Sequence, residues 1–374
     1  MAEFQPFEME RFMSKFEQEV DYNLSESGVH PVVVSELLGD DQTRIDELLS
    51  TELNYAYANG NPDLRQNIAS LYDGASIENV LVTVGAIEAN YNTIRALLFP
   101  EDEIVVMLPN YMQIWGVAKN HGLKLKTFNL REEDDWAPDL AELEDTLTLQ
   151  TRLIAVCNPN NPTGRILTEA EMASIINLAD GVGAWILADE VYAGAERITD
   201  EQTPSFYGRY DKVIAIGSLS KAYGLPGLRT GWAVGPAEVI DRIWAWHEYT
   251  TLSATALANR LAAVALSPDI RPRMIQRTRD YIRRGYPVLA QWIQRHEGTF
   301  TLCPPDAAAI AFLRYHLDIN SSDLVDRIRK EKSVLIVPGD HFGLDHFVRI
   351  SFGLPHDYLE PALDRIHDLI TSLS

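Results

Sequence analysis

The apolar run Val213-Ile214-Ala215-Ile216 has the length and β-branched content of a buried strand, and it delivers Gly217-Ser218-Leu219-Ser220-Lys221 at its carboxyl end. Ligands of open α/β sheets sit at such ends, so this stretch predicts an α/β fold with its chemistry at one sheet edge. A lysine placed there, dehydrated by its surroundings and close to Arg229, loses affinity for its proton and becomes an amine that attacks a carbonyl. Ser218, Ser220 and Arg229 supply hydroxyl donors and a fixed positive fork, which suits a doubly charged phosphate.

Other apolar runs end the same way. Val80–Val84 runs into Gly85-Ala86-Ile87, read as the first turn of a helix, whose free amides bind phosphate without any particular side chain. Ile87 has no hydroxyl, so backbone donors must suffice there. Glu103–Leu108 is followed by Pro109-Asn110-Tyr111, an aromatic well placed to stack on a ring. Leu153–Cys157 leads to Asn158-Pro159-Asn160-Asn161-Pro162-Thr163-Gly164, where two prolines and a glycine fix a tight turn that aims an asparagine amide. Ala184–Ala188 ends in Asp189-Glu190-Val191-Tyr192, and a carboxylate there can hold a ring nitrogen protonated. Arg349, inside Val348-Arg349-Ile350-Ser351-Phe352, needs a partner among apolar neighbours: a bidentate carboxylate or a structural ion pair.

The charge balance narrows the function classes. With 54 acidic against 32 basic residues and a formal charge of −22, attraction to nucleic acid or anionic lipid is disfavoured by repulsion. The lysines other than Lys221 stand in charged or alternating contexts that read as solvated. Cys157 and Cys303 cannot build a disulfide framework and fit a reducing compartment. Neither a signal-type N-terminus nor a membrane-length apolar window occurs, so a cytoplasmic location is expected. No Gly-x-Gly-x-x-Gly, Gly-Lys-Ser/Thr or His-Glu-x-x-His string supports nucleotide or metal chemistry.

The string from Ser218 to Trp232, with its Ser-x-Ser-Lys, its arginine and its closing Gly-Trp, resembles the lysine segment of pyridoxal-phosphate-dependent class I/II aminotransferases of fold-type I. The resemblance extends from Gly28 to Arg349 in the family's motif order. It implies a large domain with a mostly parallel seven-stranded sheet over residues 36–270, and a small α+β domain from both chain ends, residues 1–35 and 271–374. It also implies pyridoxal 5′-phosphate held by Lys221 as a Schiff base, with Gly85, Ala86, Ile87, Ser218, Ser220 and Arg229 at the phosphate. Tyr111 would stack on the pyridine and Asp189 pair with its nitrogen, while Asn161 and Tyr192 share its phenolic oxygen. Gly28, Asn161 and Arg349 would meet the substrate carboxylate. Tyr55, five residues before Gly60, matches a tyrosine that reaches the neighbouring subunit's phosphate across a homodimer; Thr251 and Ser253 fall in a segment that lines the neighbouring site.

The implied reaction moves an amino group between an L-amino acid and a 2-oxo acid. A rival within the cofactor class is β-elimination and cyclisation on an arginine derivative, because Ser27–His30, Leu219–Arg229 and Tyr249–Ser253 look particularly like capreomycidine synthase-like members. A non-catalytic regulator would not need Asn161, Asp189, Tyr192, Lys221, Arg229 and Arg349 together, and sugar aminotransferases do not need Arg349. Three further expectations concern packing and loops. The stretch 1–20, with Met9, Phe12, Met13, Phe16 and Val20 at helical spacing, reads as a packing helix. The arginines from Pro272 to Gln294 read as a solvated face. The loop Pro305-Asp306-Ala307-Ala308-Ala309 lacks the family's glycine and aromatic, with Asp306 either facing a cationic side chain or capping a turn.

Overall fold

In a computed structural model, which describes residues 4–373, the apolar runs form one sheet. Its spatial order is Val80–Val84, Thr230–Val234, Val213–Ser218, Trp185–Asp189, Thr151–Cys157, Glu103–Leu108, Lys124–Arg131 and Ala137–Pro138. The seven expected strands are thus joined by an eighth of two residues, antiparallel to Lys124–Arg131. Five of the seven pair in parallel along one line, and Thr230–Val234 runs antiparallel to both neighbours.

Helices cover both faces, which is why the central strands read as unbroken apolar runs. Alternate residues feed two layers: Val105, Met107, Ile154, Val156 and Ile186 pack on one side, and Ile104, Val106, Leu153, Ala155 and Leu187 on the other. The register brings the carboxyl ends level. Asp189 lies beside Cys157 and Ile216, and Ser218 beside Gly231. Polar chemistry carried at the ends of separate strands therefore meets at one edge.

The chain's two ends are joined. Tyr22–Asn23 pairs in parallel with Val334–Leu335, and a four-stranded antiparallel sheet of Phe300–Leu302, Ile310–Tyr315, Phe347–Ser351 and Val337–Pro338 carries Arg349. The helix Arg271–Gln294 packs on His356–Leu373. Its arginines are not simply a solvated face: Arg279 is buried and pairs with buried Glu196 at 2.5 Å, while Arg273 and Arg283 donate to backbone carbonyls. The long guanidinium side chains reach across to carbonyls of the neighbouring helix Val34–Leu38 and of the segment at Arg197, a use that charge pattern alone does not reveal. Among the described residues no helix is long and apolar enough to cross a membrane.

Gly285 lies inside that long helix, where alanine would ordinarily gain about 1 kcal/mol of helix propensity. Here a Cβ would fall 1.7 Å from the Phe352 carbonyl oxygen, backbone that cannot swing away. Overpacking costs about 1–3 kcal/mol and wins. Gly285→Ala is expected to lower the urea midpoint; an unchanged or raised midpoint would show that the helix can shift.

Candidate active site

The strand ends open into a cavity of about 290 Å³. Lys221, Asp189, Asn161, Tyr192, Tyr111 and Arg349 all line it, together with Ser218, Ser220, Arg229, Ala86 and Ile87. Lys221 carries a side chain 24% exposed, with its Nζ 3.7 Å from a carboxylate oxygen of Glu26.

One end of the cavity is built for an anion. The helix Gly85–Leu97 starts at the sheet edge, and its first-turn amides at Ala86 and Ile87 have no carbonyl to bond within the helix. Gly85 has φ +76, and a Cβ there would sit 2.6 Å from Arg229 Nη2, so only glycine leaves room for that guanidinium. Arg229 is itself held in the left-handed region at φ 48 by a short turn and donates to the Pro226 carbonyl at 3.2 Å. Ser218 and Ser220 place their hydroxyls 3.0 Å apart, and the Ser220 amide donates to Ser218 Oγ. Glu88, one turn into the helix, accepts from the Val84 amide, His247 and Thr251, tying the turn to the Ala237–Thr250 helix end. Those bonds outweigh its burial and hold its carboxyl down at about 2.

Of two adjacent carboxylates only one faces the cavity. Glu190 turns away to accept from Ser205 Oγ and the Phe206 amide, whereas Asp189 is 6% exposed and accepts from Asn90 Nδ2 at 2.9 Å. Burial pushes the Asp189 carboxyl above the usual aspartate range, opposed by the Asn90 bond. A buried carboxylate with no ion-pair partner among the described residues suits a cationic ring nitrogen. Asn90 Oδ1 is also buried without a partner.

Arg349 is 1% exposed and meets no carboxylate among the described residues, so the structural ion pair left open by the sequence is not made. Its Nη1 donates to Asn161 Oδ1 at 2.9 Å, its Nη2 to the Ser25 carbonyl, and its Nε has no partner. Burial lowers its affinity for its proton. Asn161 Nδ2 keeps no hydrogen-bond partner among the described residues, since its oxygen takes Arg349. Tyr192 donates to Ser27 Oγ at 2.8 Å, and Tyr111 donates to Glu10 at 2.7 Å with its ring edge-on to Phe7. These residues fit a phosphorylated, cationic aromatic aldehyde: amides, hydroxyls and a guanidinium for the phosphate, a carboxylate for the ring nitrogen, an amine for the aldehyde.

Several expected residues lie elsewhere. Gly28 does not line the cavity; its absent Cβ would touch the Ser220 carbonyl and Lys221 Cδ, so it lets this segment press against Lys221. Gly85 backs Arg229 without lining the cavity. Tyr55 is 83% exposed and away from this chain's cavity, and Thr251 turns its hydroxyl inward to Glu88. Ser253 does not line the cavity either. Asp306 accepts from the Ile166 amide and pairs with Arg165 at 3.3 Å without lining the cavity, so the cationic side chain it faces belongs to the protein itself.

The helix at Glu8–Phe16 packs as expected and also reaches the cavity. Met9 and Met13 are buried against the core, yet Glu10 and Ser14 of the same helix, with Glu17 beyond it, line the cavity. Asn90 and Gln113 also line it without having been singled out. Asn90 stands four residues after Ala86, one helical turn along the same face, a spacing that was available in the sequence.

Comparison with known proteins agrees with this geometry. The family model described as aminotransferase class I and II matches residues 39–366. Capreomycidine synthase of Streptomyces vinaceus is 32% identical over 355 residues, covering 92% of this chain and 89% of that one. An aspartate aminotransferase of Thermotoga maritima is 28% identical over 328 residues, covering 86% and 84%. The crystal structure of a PLP-dependent aminotransferase from Streptococcus suis superposes with a TM-score of 0.93 at 28% identity, covering 100% of this chain and 99% of that one. The chain belongs to the class I and II aminotransferase family, whose cofactor is pyridoxal 5′-phosphate.

Proposed function

We propose that this cavity moves an amino group between an L-amino acid and a 2-oxo acid, with Lys221 both anchoring pyridoxal 5′-phosphate and transferring the substrate's Cα proton. The observation that carries the reading is the convergence of Lys221, Asp189, Asn161, Arg229 and Arg349, from four separate segments, on one cavity. Bound pyridoxal phosphate supplies an electron sink that stabilises negative charge at the substrate's Cα. Asp189, steadied by Asn90, would keep a proton on the ring nitrogen. Ser218, Ser220, Arg229 and the Ala86 and Ile87 amides would hold the phosphate, and Gly85 makes room for Arg229. Asn161 and Tyr192 would serve the phenolic oxygen, and Tyr111 the ring face. Arg349 fixes the α-carboxylate, which turns the Cα–H bond toward Lys221. Lys221 Nζ would accept that proton and, as a general acid, return it to the carbon that was the cofactor's aldehyde.

The test is an absorbance scan of the yellow holoenzyme with single amino acids and no oxo acid. Stoichiometric conversion to the aminated cofactor, reversed by a 2-oxo acid, is expected. A second reading, cyclisation of an arginine derivative, is favoured by the 32% identical relative named for such a product. Continuous turnover of a hydroxyarginine with the cofactor staying in its aldehyde form would replace the first reading with the second.

We also place the protein in the cytoplasm as a homodimer, with a large domain over residues 36–270 and a small one from 1–35 and 271–374. Two free thiols support the compartment. Tyr55, Tyr57, Leu53 and Tyr249 leave large apolar surface exposed, Tyr249 by 89%, which supports a partner subunit covering them. Tyr55→Phe is expected to leave unfolding unchanged and weaken cofactor retention by about 1 kcal/mol or more, the worth of one hydroxyl contact to a charged group. Dialysis followed by cofactor absorbance measures it. A fully active monomer in sedimentation would remove the basis of the composite site.

A further inference from the structure

One wall of the cavity is acidic. Glu10, Glu17 and Glu26 line it, from the N-terminal helix and the segment that follows. Among the described residues no lysine, arginine or histidine comes within ion-pair distance of Glu10 or Glu17, and Glu26 meets only Lys221. Burial, then the charges of Glu26 and Glu10, raises the Glu17 carboxyl above the usual glutamate range, so the three carboxylates act on one another. A solvated acidic face would spread such charges; here they share one cavity wall.

A second observation shows that the same cavity expects a ligand. Arg349 is almost wholly buried, lines the cavity, has no carboxylate partner, and leaves its Nε donor unbonded. Charge accounting then gives the class. Phosphate takes up the charge of Arg229, the ring nitrogen would balance Asp189, and the substrate's α-carboxylate would balance Arg349, so none of these groups is left for the acidic wall. Lys221, displaced when substrate takes its place on the cofactor, can offset at most one of the three carboxylates. At least two remain, and the one component not yet counted is the substrate side chain.

We infer that the amino acid taken here has a cationic side chain, guanidinium or ammonium, held by Glu10, Glu17 and Glu26 while Arg349 holds its α-carboxylate. The inference rests on the transaminase reading above and names its substrate class. Glu10 already accepts from Tyr111, which fixes the carboxylate's direction. Dicarboxylic amino acids are disfavoured, because their second carboxylate would face the same wall without a cation.

Binding can be read without chemistry. Calorimetric titration of the holoenzyme with 5-guanidinopentanoate, which keeps arginine's carboxylate and cation but has no reactive amine, is compared with its uncharged counterpart 5-ureidopentanoate. The cation is expected to bind about 10- to 100-fold tighter, as charge-assisted hydrogen bonds allow. Glu17→Gln should narrow that ratio several-fold. In half-reactions followed by cofactor absorbance, arginine should outpace citrulline by a similar factor, with norleucine as reference. Equal or tighter binding of the ureido acid, or citrulline outpacing arginine, overturns the inference; conversion by norleucine then leaves transamination standing. If no amino acid converts the cofactor, the transaminase reading fails, and the titration still decides the charge preference.

Discussion

Lys221→Ala is expected to lower turnover by at least about 10²–10⁴-fold, the span contributed by one positioned acid-base group, before counting the lost covalent anchor. Its folding should be nearly untouched, because the one ion pair of Lys221 among the described residues is a partly exposed one with Glu26 at 3.7 Å, and such pairs contribute about 0–1 kcal/mol. Borohydride reduction of the wild-type holoenzyme followed by peptide mapping should mark Lys221 alone. Six of the other seven lysines are occupied elsewhere: Lys119 lies over Trp115, Lys124 pairs with Glu101, Lys126 pairs with Glu103, Lys212 donates to the Gly183 carbonyl, and Lys330 and Lys332 meet aspartates. A label on any of them, or a Lys221→Ala protein that still turns over at wild-type rate, sinks the assignment.

How much of this site the sequence carries depends on the range of the interaction involved. Residues fixed by their own segment were legible. A strand of set length must deliver Ser218 and Asp189 at its carboxyl end, and the prolines around Asn161 leave its turn little choice. Gly85 followed by a helix offers amides whatever the neighbouring side chains are. Residues that matter through distant packing were not legible. The helix Glu8–Phe16 has an apolar face at helical spacing, and that pattern says only that Met9 and Met13 are buried, not that Glu10 beside them meets Tyr111, 101 positions away. The solvated-face reading of Arg271–Gln294 holds for Arg284 and fails for Arg279 for the same reason. Arg279 finds Glu196 only because a loop 83 positions earlier folds over the helix. Asp306 offered two readings, and the choice lay with Arg165, 141 positions back.

Arg349→Ala is expected to cut kcat/KM for amino acids by about 30- to several-thousand-fold, the effect of removing about 2–5 kcal/mol of a charged contact in a dry site. Its burial sets the size of the effect. A guanidinium this enclosed, with hydrogen bonds to Asn161 and the Ser25 carbonyl but no carboxylate, is held in place without being neutralised. That arrangement is costly to a resting protein and useful only if an anion arrives. Cofactor retention should fall much less than turnover, because among the residues proposed to hold the cofactor Arg349 hydrogen-bonds Asn161 alone, while the proposed phosphate cup of Ser218, Ser220 and Arg229 is built without it. Arg349→Lys should recover little, since an ammonium cannot reproduce a planar fork that bonds Asn161, Ser25 and a carboxylate at once. The decisive comparison is between an amino acid and the amine that lacks its carboxylate. Wild type should strongly prefer the amino acid, and the Arg349→Ala variant should lose most of that preference. If the variant keeps the wild-type preference, the α-carboxylate is held by another group and Arg349 serves only to position Asn161.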